Sequence, residues 1–445
     1  MSKELKNREE IPEKYKWNLN DIFSSDQEFE KELEALLEKI NKIEEYKDSF
    51  TDSAERLLNA LDNIVKLEEK ISRIYSYAHM KYDQNTKNDK YQNYKNKAMF
   101  AYNKLSNSTA FMVPYLIRLG EDSLEEFIRE ESGLEFYQHF FDNIMRQKEH
   151  YLSEKEEKIL SLAGEVTQSS ENIFSMLNNA DLEFPIIKDE NNEEIRLTHG
   201  RYIDLLKNED RRVREDAFKA MHGEYEKLDN TFAAVLDSSV KGDIFYAKAR
   251  NYDSSLEASL DNDNISLDVY NNLIETISNN LDPLQEYMSL KMELLDLDEL
   301  HIYDTYTPLI KEIDLKFEYE ETKEIIKNAL SPLGDDYISV MENGFNSGWI
   351  DVYENKGKRS GAYSSGCYGV HPYILMNYTK DISNLFTLIH EMGHAMHSYY
   401  SNKNQPYLYA DYKIFVAEVA STLNENLLVD YMLKNAESRS EKLYL

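Results

Sequence analysis

The sequence of 445 residues contains one cysteine, Cys367, only eight prolines and only 14 glycines. A single cysteine cannot form an intrachain disulfide, which fits a reducing, cytoplasmic compartment. We predict a structural role for Cys367, because nothing near it in the sequence is arranged as a base for a nucleophilic thiol. Since proline and glycine interrupt helices, their scarcity before about residue 180 predicts long helices joined by short loops.

Basic residues are also scarce relative to acidic ones. The chain has 51 Lys and Arg against 83 Asp and Glu, which gives a net charge of −32 at pH 7. Because phosphate binding requires clustered Lys and Arg, this balance excludes nucleic acid as a partner. We expect most of the negative charge on solvated helix surfaces. The alternative is a negative channel that steers cationic peptides toward it.

Long apolar runs are missing as well. No uninterrupted run approaches the roughly 20 residues of a membrane span. The first ten residues, MSKELKNREE, carry too many charges for a secretory signal. The sequence therefore predicts a soluble cytoplasmic protein that does not contact a membrane.

Helical periodicity dominates what is present. Between Leu57 and Ile74, apolar residues recur with the spacing of one helix face, and charges occupy the other face. Pro185–Leu197 differs, because two β-prone runs flank an Asn-rich turn, which predicts a hairpin. The length exceeds that of one typical domain. We therefore predict a mainly α fold divided into an N-terminal helical lobe, residues 1–180, and a second portion, residues 181–445.

The pattern His-Glu-Met-Gly-His at residues 390–394 is the strongest chemical signal. On a helix, His390 and His394 lie on one face, where both can hold one Zn²⁺. Glu391 is one residue away and can accept a proton from an attacking water. The surrounding segment 381–400 has the apolar spacing of a buried helix, capped by Asp381 or Ser383. The alternative is a core helix whose histidines only satisfy backbone groups.

Catalytic zinc usually takes three protein ligands, so a third is needed. Glu418 is our candidate, on a helix predicted over 414–429, because its apolar neighbours suggest a carboxylate near a core that needs a cation. A salt bridge is the alternative. Glu425, seven residues on, could ligate the metal or orient a histidine. His397 shares the face of the two histidines, and we expect it to support the site or the core.

Half of the glycines lie between Gly334 and Gly369. Two short strands are predicted there, Gly361–Gly366 and Tyr373–Tyr378. A peptide could pair with such a strand edge through main-chain hydrogen bonds, with Gly361, Ala362 and Tyr363 as candidate substrate-binding residues. The alternative is a structural hairpin packed under the histidine-bearing helix.

The chain resembles the oligoendopeptidase F branch of the thimet oligopeptidase family of zinc peptidases along almost its whole length. Four segments carry the resemblance: Tyr15–Phe23 (YKWNLNDIF), Lys356–Ser364 (KGKRSGAYS), Pro372–Asn377 (PYILMN) and Phe415–Ser421 (FVAEVAS). The resemblance implies a two-lobed helical peptidase with a deep channel, a small β-sheet near the active site and short unfolded peptides as substrates. It also implies His390, His394 and Glu418 as zinc ligands and Glu391 as general base.

Family members are typically longer, and the part beyond the third ligand carries a histidine and tyrosines that stabilise the tetrahedral intermediate. The 445 residues read as one piece of a longer chain, so we expect zinc binding to be retained and activity to be weak or absent. Three alternatives to the endopeptidase stay open. They are a non-catalytic zinc-containing peptide-binding module, a helical interaction scaffold with an accidental motif, and an exopeptidase with the same zinc chemistry.

Overall fold

The computed structural model describes residues 5–310 and 315–445 and is mainly helical, as predicted. The α-helices of the first half are α1 (Asp26–Ile40), α2 (Glu44–Lys47), α3 (Ala54–Gln84), α4 (Asp89–Thr109), α5 (Met112–Leu119), α6 (Glu121–Glu130), α7 (Gln138–Arg146), α8 (Glu154–Thr167), α9 (Ser169–Met176), α10 (His199–Leu206) and α11 (Arg211–Glu226). Those of the second half are α12 (Asp229–Ala249), α13 (Ser255–Asp261), α14 (Leu267–Ser278), α15 (Asp282–Leu294), α16 (Tyr319–Ala329), α17 (Asp335–Asn346), α18 (Ile382–Asn404), α19 (Tyr407–Ala410), α20 (Ile414–Asn435) and α21 (Arg439–Tyr444).

The described residues form two small sheets. The strands are β1 (Ile186–Lys188), β2 (Glu194–Arg196), β3 (Ile350–Asp351), β4 (Tyr363–Ser365) and β5 (Tyr373–Leu375). β1 and β2 form an antiparallel hairpin, which confirms the hairpin predicted around the Asn-rich turn. In the second sheet the order is β3-β5-β4, with β3 parallel and β4 antiparallel to β5. Both strands predicted in the glycine-rich segment are therefore present, and β4 lies at an edge of its sheet.

The helices and strands group into two compact units that alternate along the sequence. The first unit comprises Met1–Met145, Asp314–Ser438 and Leu445, and the second comprises Arg146–Ile313 and Arg439–Tyr444. A single cut at residue 180 does not separate these units, because residues 146–180 belong to the second. The functional division at residue 180 into a helical lobe and a peptidase portion stays a prediction, as does the channel.

One core of the first unit forms where α1, α3 and α4 pack together. The apolar face of α3 predicted from Leu57 to Ile74 is buried there: Leu57 and Leu61 are 0% exposed and Ile74 is 1% exposed. A second core surrounds α18. The strand β5 lies between them, because Tyr373 and Leu375 belong to the first core and Ile374 to the second. This alternation follows from the two-residue period of a strand.

A buried ionic cluster attaches the N-terminal segment to this three-stranded sheet. The carboxylate of Asp351, in β3, is 2% exposed and pairs with the fully buried ammonium of Lys358 at 2.7 Å and with Arg8. The backbone N–H of Trp17 also donates to Asp351. Burial by itself would raise the pKa of Asp351, but the charges of Lys358 and Arg8 outweigh it and hold that pKa below its usual value.

The second unit has its own core, which covers one face of the β1–β2 hairpin. Val213 and Ala217 of α11 pack there against Phe184 and Leu197. No helix in the described residues is long and apolar enough to cross a membrane.

Candidate metal centre

The histidine motif lies in the middle of α18, which begins where the sequence predicted. Asp381 caps the helix, since its side chain accepts a hydrogen bond from the backbone N–H of Asn384 at 2.9 Å. The apolar stripe faces the second core, and its members Leu385, Leu388, Ile389, Met392 and Met396 are at most 1% exposed. The motif histidines stand beside this buried stripe, so a rigidly packed helix holds them in place.

A glycine at the centre of the motif brings α18 against α20. A Cβ added to Gly393 would lie 2.7 Å from the Cα of Ser421 and 2.8 Å from the carbonyl oxygen of Ala420. Real Cβ atoms do not approach backbone that closely, so only glycine permits this crossing. The buried side chain of Asn424 secures it by donating to the carbonyl of Ile389 at 3.4 Å. The crossing places Glu418 opposite the two histidines.

Three ligand atoms meet at this crossing. The Nε2 atoms of His390 and His394 are 3.1 Å apart, and each lies 3.4 Å from Oε2 of Glu418. A tetrahedral zinc site with metal–ligand distances of about 2.0–2.1 Å has ligand–ligand edges of about 3.3–3.4 Å. The described residues contain one group of three such side chains that could hold a metal, and it is this one. The donor set and the size of the triangle both fit Zn²⁺.

Neighbouring groups orient the histidine rings. Nδ1 of His390 lies 2.8 Å from Oε1 of Glu425, which leaves Nε2 directed toward the metal position. Zinc-binding histidines usually have such a carboxylate partner on the other nitrogen. Burial lowers the pKa of His394, and a neutral imidazole is the form that binds metal. Of the two roles predicted for Glu425, the structure places it in contact with a histidine.

The surroundings of Glu418 differ from those that the sequence analysis predicted. Its apolar neighbours Phe415, Val416 and Val419 are exposed, and its own side chain is 54% exposed, so the prediction of a carboxylate near a core is wrong. The buried residues of α20 are instead Ala417, Ser421, Asn424, Leu428 and Met432. The hydroxyl of Ser421 donates to Oε2 of Glu418 at 2.7 Å and lowers the pKa of that carboxyl.

Glu391 is more deeply buried than the three candidate ligands. It is 8% exposed, and burial raises the pKa of its carboxyl, while a backbone hydrogen bond from Ser364 of β4 opposes this shift. A carboxylate with a raised pKa is well suited to exchange protons near neutral pH. The contact also joins the sheet edge to the motif helix, which no spacing in the sequence indicated.

His397 does not belong to the group of ligand atoms. Its ring stacks on Tyr412 with centroids 3.7 Å apart, and its buried Nδ1 has no hydrogen-bond partner among the described residues. The Tyr412 hydroxyl lies 2.9 Å from that of Ser398 and 3.5 Å from the carbonyl oxygen of His394. His397 thus packs behind the motif, on the side where Tyr412 approaches α18.

The candidate substrate-binding residues lie at the start of β4. Gly361 has φ +83° with open space around it, and its carbonyl accepts a hydrogen bond from Asn377. The hydroxyl of Tyr363 donates to the buried carboxylate of Asp83 at 2.8 Å. Ala362 packs against the second core. Sequence reasoning missed Asp83, because 280 residues separate it from Tyr363 and no local pattern connects them.

Comparisons with family models and with individual proteins all match this chain to peptidases. The family model "Peptidase family M3" matches residues 204–444, and the model "Oligopeptidase F" matches residues 116–184. Oligopeptidase PepF of Bacillus subtilis is 47% identical over 442 residues, which are 99% of this chain and 66% of that protein. An oligoendopeptidase F homolog of Lactococcus lactis is 40% identical over 99% of this chain and 73% of its own length.

Two crystal structures resemble the fold along most of this chain. One from Chlamydophila abortus has a TM-score of 0.86 at 33% identity and is covered to 74%. Oligoendopeptidase F from Enterococcus faecium has a TM-score of 0.66 at 36% identity and is covered to 69%. The chain thus spans about two thirds to three quarters of the proteins that it matches.

Proposed function

The chain belongs to peptidase family M3, and on that premise we propose that it is a zinc-dependent endopeptidase acting on short peptides. The resemblance to oligoendopeptidase F drawn from the sequence is confirmed. One observation carries the proposal: two imidazole nitrogens and a carboxylate oxygen form a triangle of the size that tetrahedral zinc requires. The cytoplasmic location predicted from the single cysteine is part of the same proposal.

His390, His394 and Glu418 would hold the metal. When bound, Zn²⁺ supplies Lewis acidity that polarises a carbonyl and makes water acidic at neutral pH. Glu425 orients His390 through Nδ1, and Ser421 orients Glu418 through its hydroxyl. These two contacts hold the ligand atoms in position, so the side chains need not rearrange when the metal binds, as a preorganised site requires.

Glu391 is proposed as the general base. Its carboxylate takes a proton from the water that attacks the scissile carbonyl and delivers it to the departing amine. Its location suits the task, because it follows His390 directly on α18 and burial raises its pKa. Removing a positioned general base typically lowers turnover by about 10²–10⁴-fold.

The edge strand β4 is proposed to bind the peptide backbone. β4 pairs with β5 on one side only, so its other edge is not covered by a strand of that sheet. Main-chain pairing would give affinity with little dependence on the substrate sequence. Replacing Gly361 by a larger residue would strain the backbone, because φ at this position is positive. A change in KM could then not be assigned to a lost contact with the peptide. A substrate with one amide replaced by an ester removes a single N–H and leaves the protein intact, so we expect it to raise KM.

The decisive experiment measures zinc content and cleavage of an internally quenched, end-blocked peptide on the same sample. Glu391→Gln is the matched variant, because it removes the base and leaves every ligand in place. We expect about one zinc per chain in both proteins, at most weak cleavage by the unsubstituted chain, and loss of most of that cleavage in the variant. End-blocking excludes exopeptidase action as the source of the signal.

The other outcomes favour the rival functions. Zinc and peptide binding without cleavage would indicate a binding module. Absence of zinc, with no effect of His394→Ala, would indicate an interaction scaffold. Full cleavage by Glu391→Gln would refute the proposed mechanism.

A further inference from the structure

A cavity of about 710 Å³ opens in the first unit beside the metal centre. It lies between α3, the loop that follows β4 and the segment that leads into α20. Gly366, directly after β4, lines it, as does Ala417, which precedes Glu418. Its volume is within the range of about 300–1,000 Å³ that is typical of ligand sites. The cavity therefore begins directly after the strand at which a peptide is proposed to pair.

The charge of the cavity walls has one sign. Glu68 of α3 and Asp411 line it, and no lysine, arginine or histidine is among the described residues that do. Neither carboxylate forms a hydrogen bond or ion pair with any side chain that the structure describes. Burial alone raises the pKa of Glu68, so this half-buried carboxyl lacks a cation that would compensate its desolvation.

Aromatic rings complete the walls. Tyr368 and Tyr407 pack edge to face with centroids 5.7 Å apart, and Tyr412 lies on the same cavity. Burial, followed by the negative charge of Glu68, raises the pKa of Tyr407, which shows that this ring and carboxylate are close. Tyrosine faces attract ammonium and guanidinium groups and also pack against their aliphatic stems.

We propose that this cavity is a specificity pocket that binds a lysine or arginine side chain of the peptide, with Glu68 and Asp411 as its anionic partners. The inference rests on the proposed peptidase function for the identity of the ligand. It accounts for three tyrosines at one cavity and for two carboxylates that have no ion-pair partner among the described residues. An aliphatic side chain would leave both carboxylates without a partner, whereas a cation compensates the half-buried Glu68.

The test compares end-blocked peptides that differ only in lysine or norleucine, the uncharged linear analogue, placed at successive positions. Binding is measured by fluorescence anisotropy on zinc-loaded Glu391→Gln protein, so that neither peptide is cleaved. We expect one position at which lysine binds about tenfold or more tightly, the size of a hydrogen bond to a charged group. Adding Glu68→Gln should remove most of that difference.

Glu55→Gln is the matched control. Glu55 is an exposed carboxylate in the first turn of α3 and does not line this cavity, so the lysine preference should persist in that variant. Zinc content and the thermal midpoint establish that each variant is folded. A preference that survives Glu68→Gln, or affinities for lysine and norleucine that are equal at every position, would overturn the pocket and leave the peptidase proposal untouched. A preference lost only with Glu68, together with full cleavage by Glu391→Gln, would support the pocket and refute the proposed peptidase mechanism.

Discussion

Replacing Gly393 by alanine should weaken zinc binding, although residue 393 contributes no ligand. The added methyl group would lie 2.7–2.9 Å from three backbone atoms of α20 at Ala420 and Ser421. Carbon atoms in comfortable contact are about 3.5–4.0 Å apart, so the helices would have to separate by about 0.7–1 Å. Glu418 is only two residues before Ala420 and would move with α20.

The size of that displacement decides the expected effect. Metal sites tolerate departures of about 0.2 Å from ideal ligand distances, several times less than the shift that the methyl group requires. We expect Gly393→Ala to lower zinc affinity by about 10–100-fold, comparable to disturbing the groups that orient metal ligands. Overpacking should also lower the free energy of unfolding by about 1–3 kcal/mol.

Competition with a chromophoric chelator measures the affinity, and denaturant unfolding of the zinc-free protein measures the stability. Gly223→Ala is the control, because Gly223 lies within α11 and nothing is within 4 Å of its added Cβ. That change should leave zinc affinity unchanged and stabilise the helix by about 0.4–1 kcal/mol. Unchanged zinc affinity in folded Gly393→Ala would refute the claim that close helix contact sets the position of Glu418.

The remaining predictions concern side chains that support the sheet and the site. Glu425→Gln should lower zinc affinity about tenfold or more by the same chelator assay, because His390 loses its carboxylate partner; an unchanged affinity would contradict this role. Asp351→Asn should lower the free energy of unfolding by about 3–5 kcal/mol at pH 7, since it leaves Lys358 buried without its counterion. Because the pKa of Asp351 is depressed, its contribution is present above the unfolded pKa and is lost as pH falls through the folded one. The difference between wild type and variant should therefore shrink in urea titrations below about pH 4, and a constant difference would contradict the pairing.

Local patterns predicted the elements of the site better than their assembly. The four-residue spacing of His390 and His394 and the cap at Asp381 depend on one helix, and the structure places both as expected. Glu418 was selected for neighbours that prove to be exposed, so its position beside the two histidines does not follow from the reason for which it was selected. Ser421 lies three residues after Glu418, and helical geometry could have identified it as a partner.

Other features had no local signal. Asp83 contacts Tyr363 across 280 residues, and the alternation of the two compact units depends on tertiary packing alone. Gly393 was visible in the motif, but its importance comes from the backbone of α20, which the motif does not encode. In each case the missing information was the pairing of distant segments, which amphipathic periodicity cannot supply.

The attachment of Arg8 and Trp17 to Asp351 has a consequence for biosynthesis. A ribosome adds about 5–20 residues per second, so the first 145 residues wait roughly 10–40 s before their partner strand is made. During that interval residues 146–310, which are contiguous in the second unit, can already fold. The first unit thus remains open, with part of its core exposed, while the second lacks only Arg439–Tyr444. We expect chaperones that recognise nascent apolar segments to act chiefly on α1, α3 and α4.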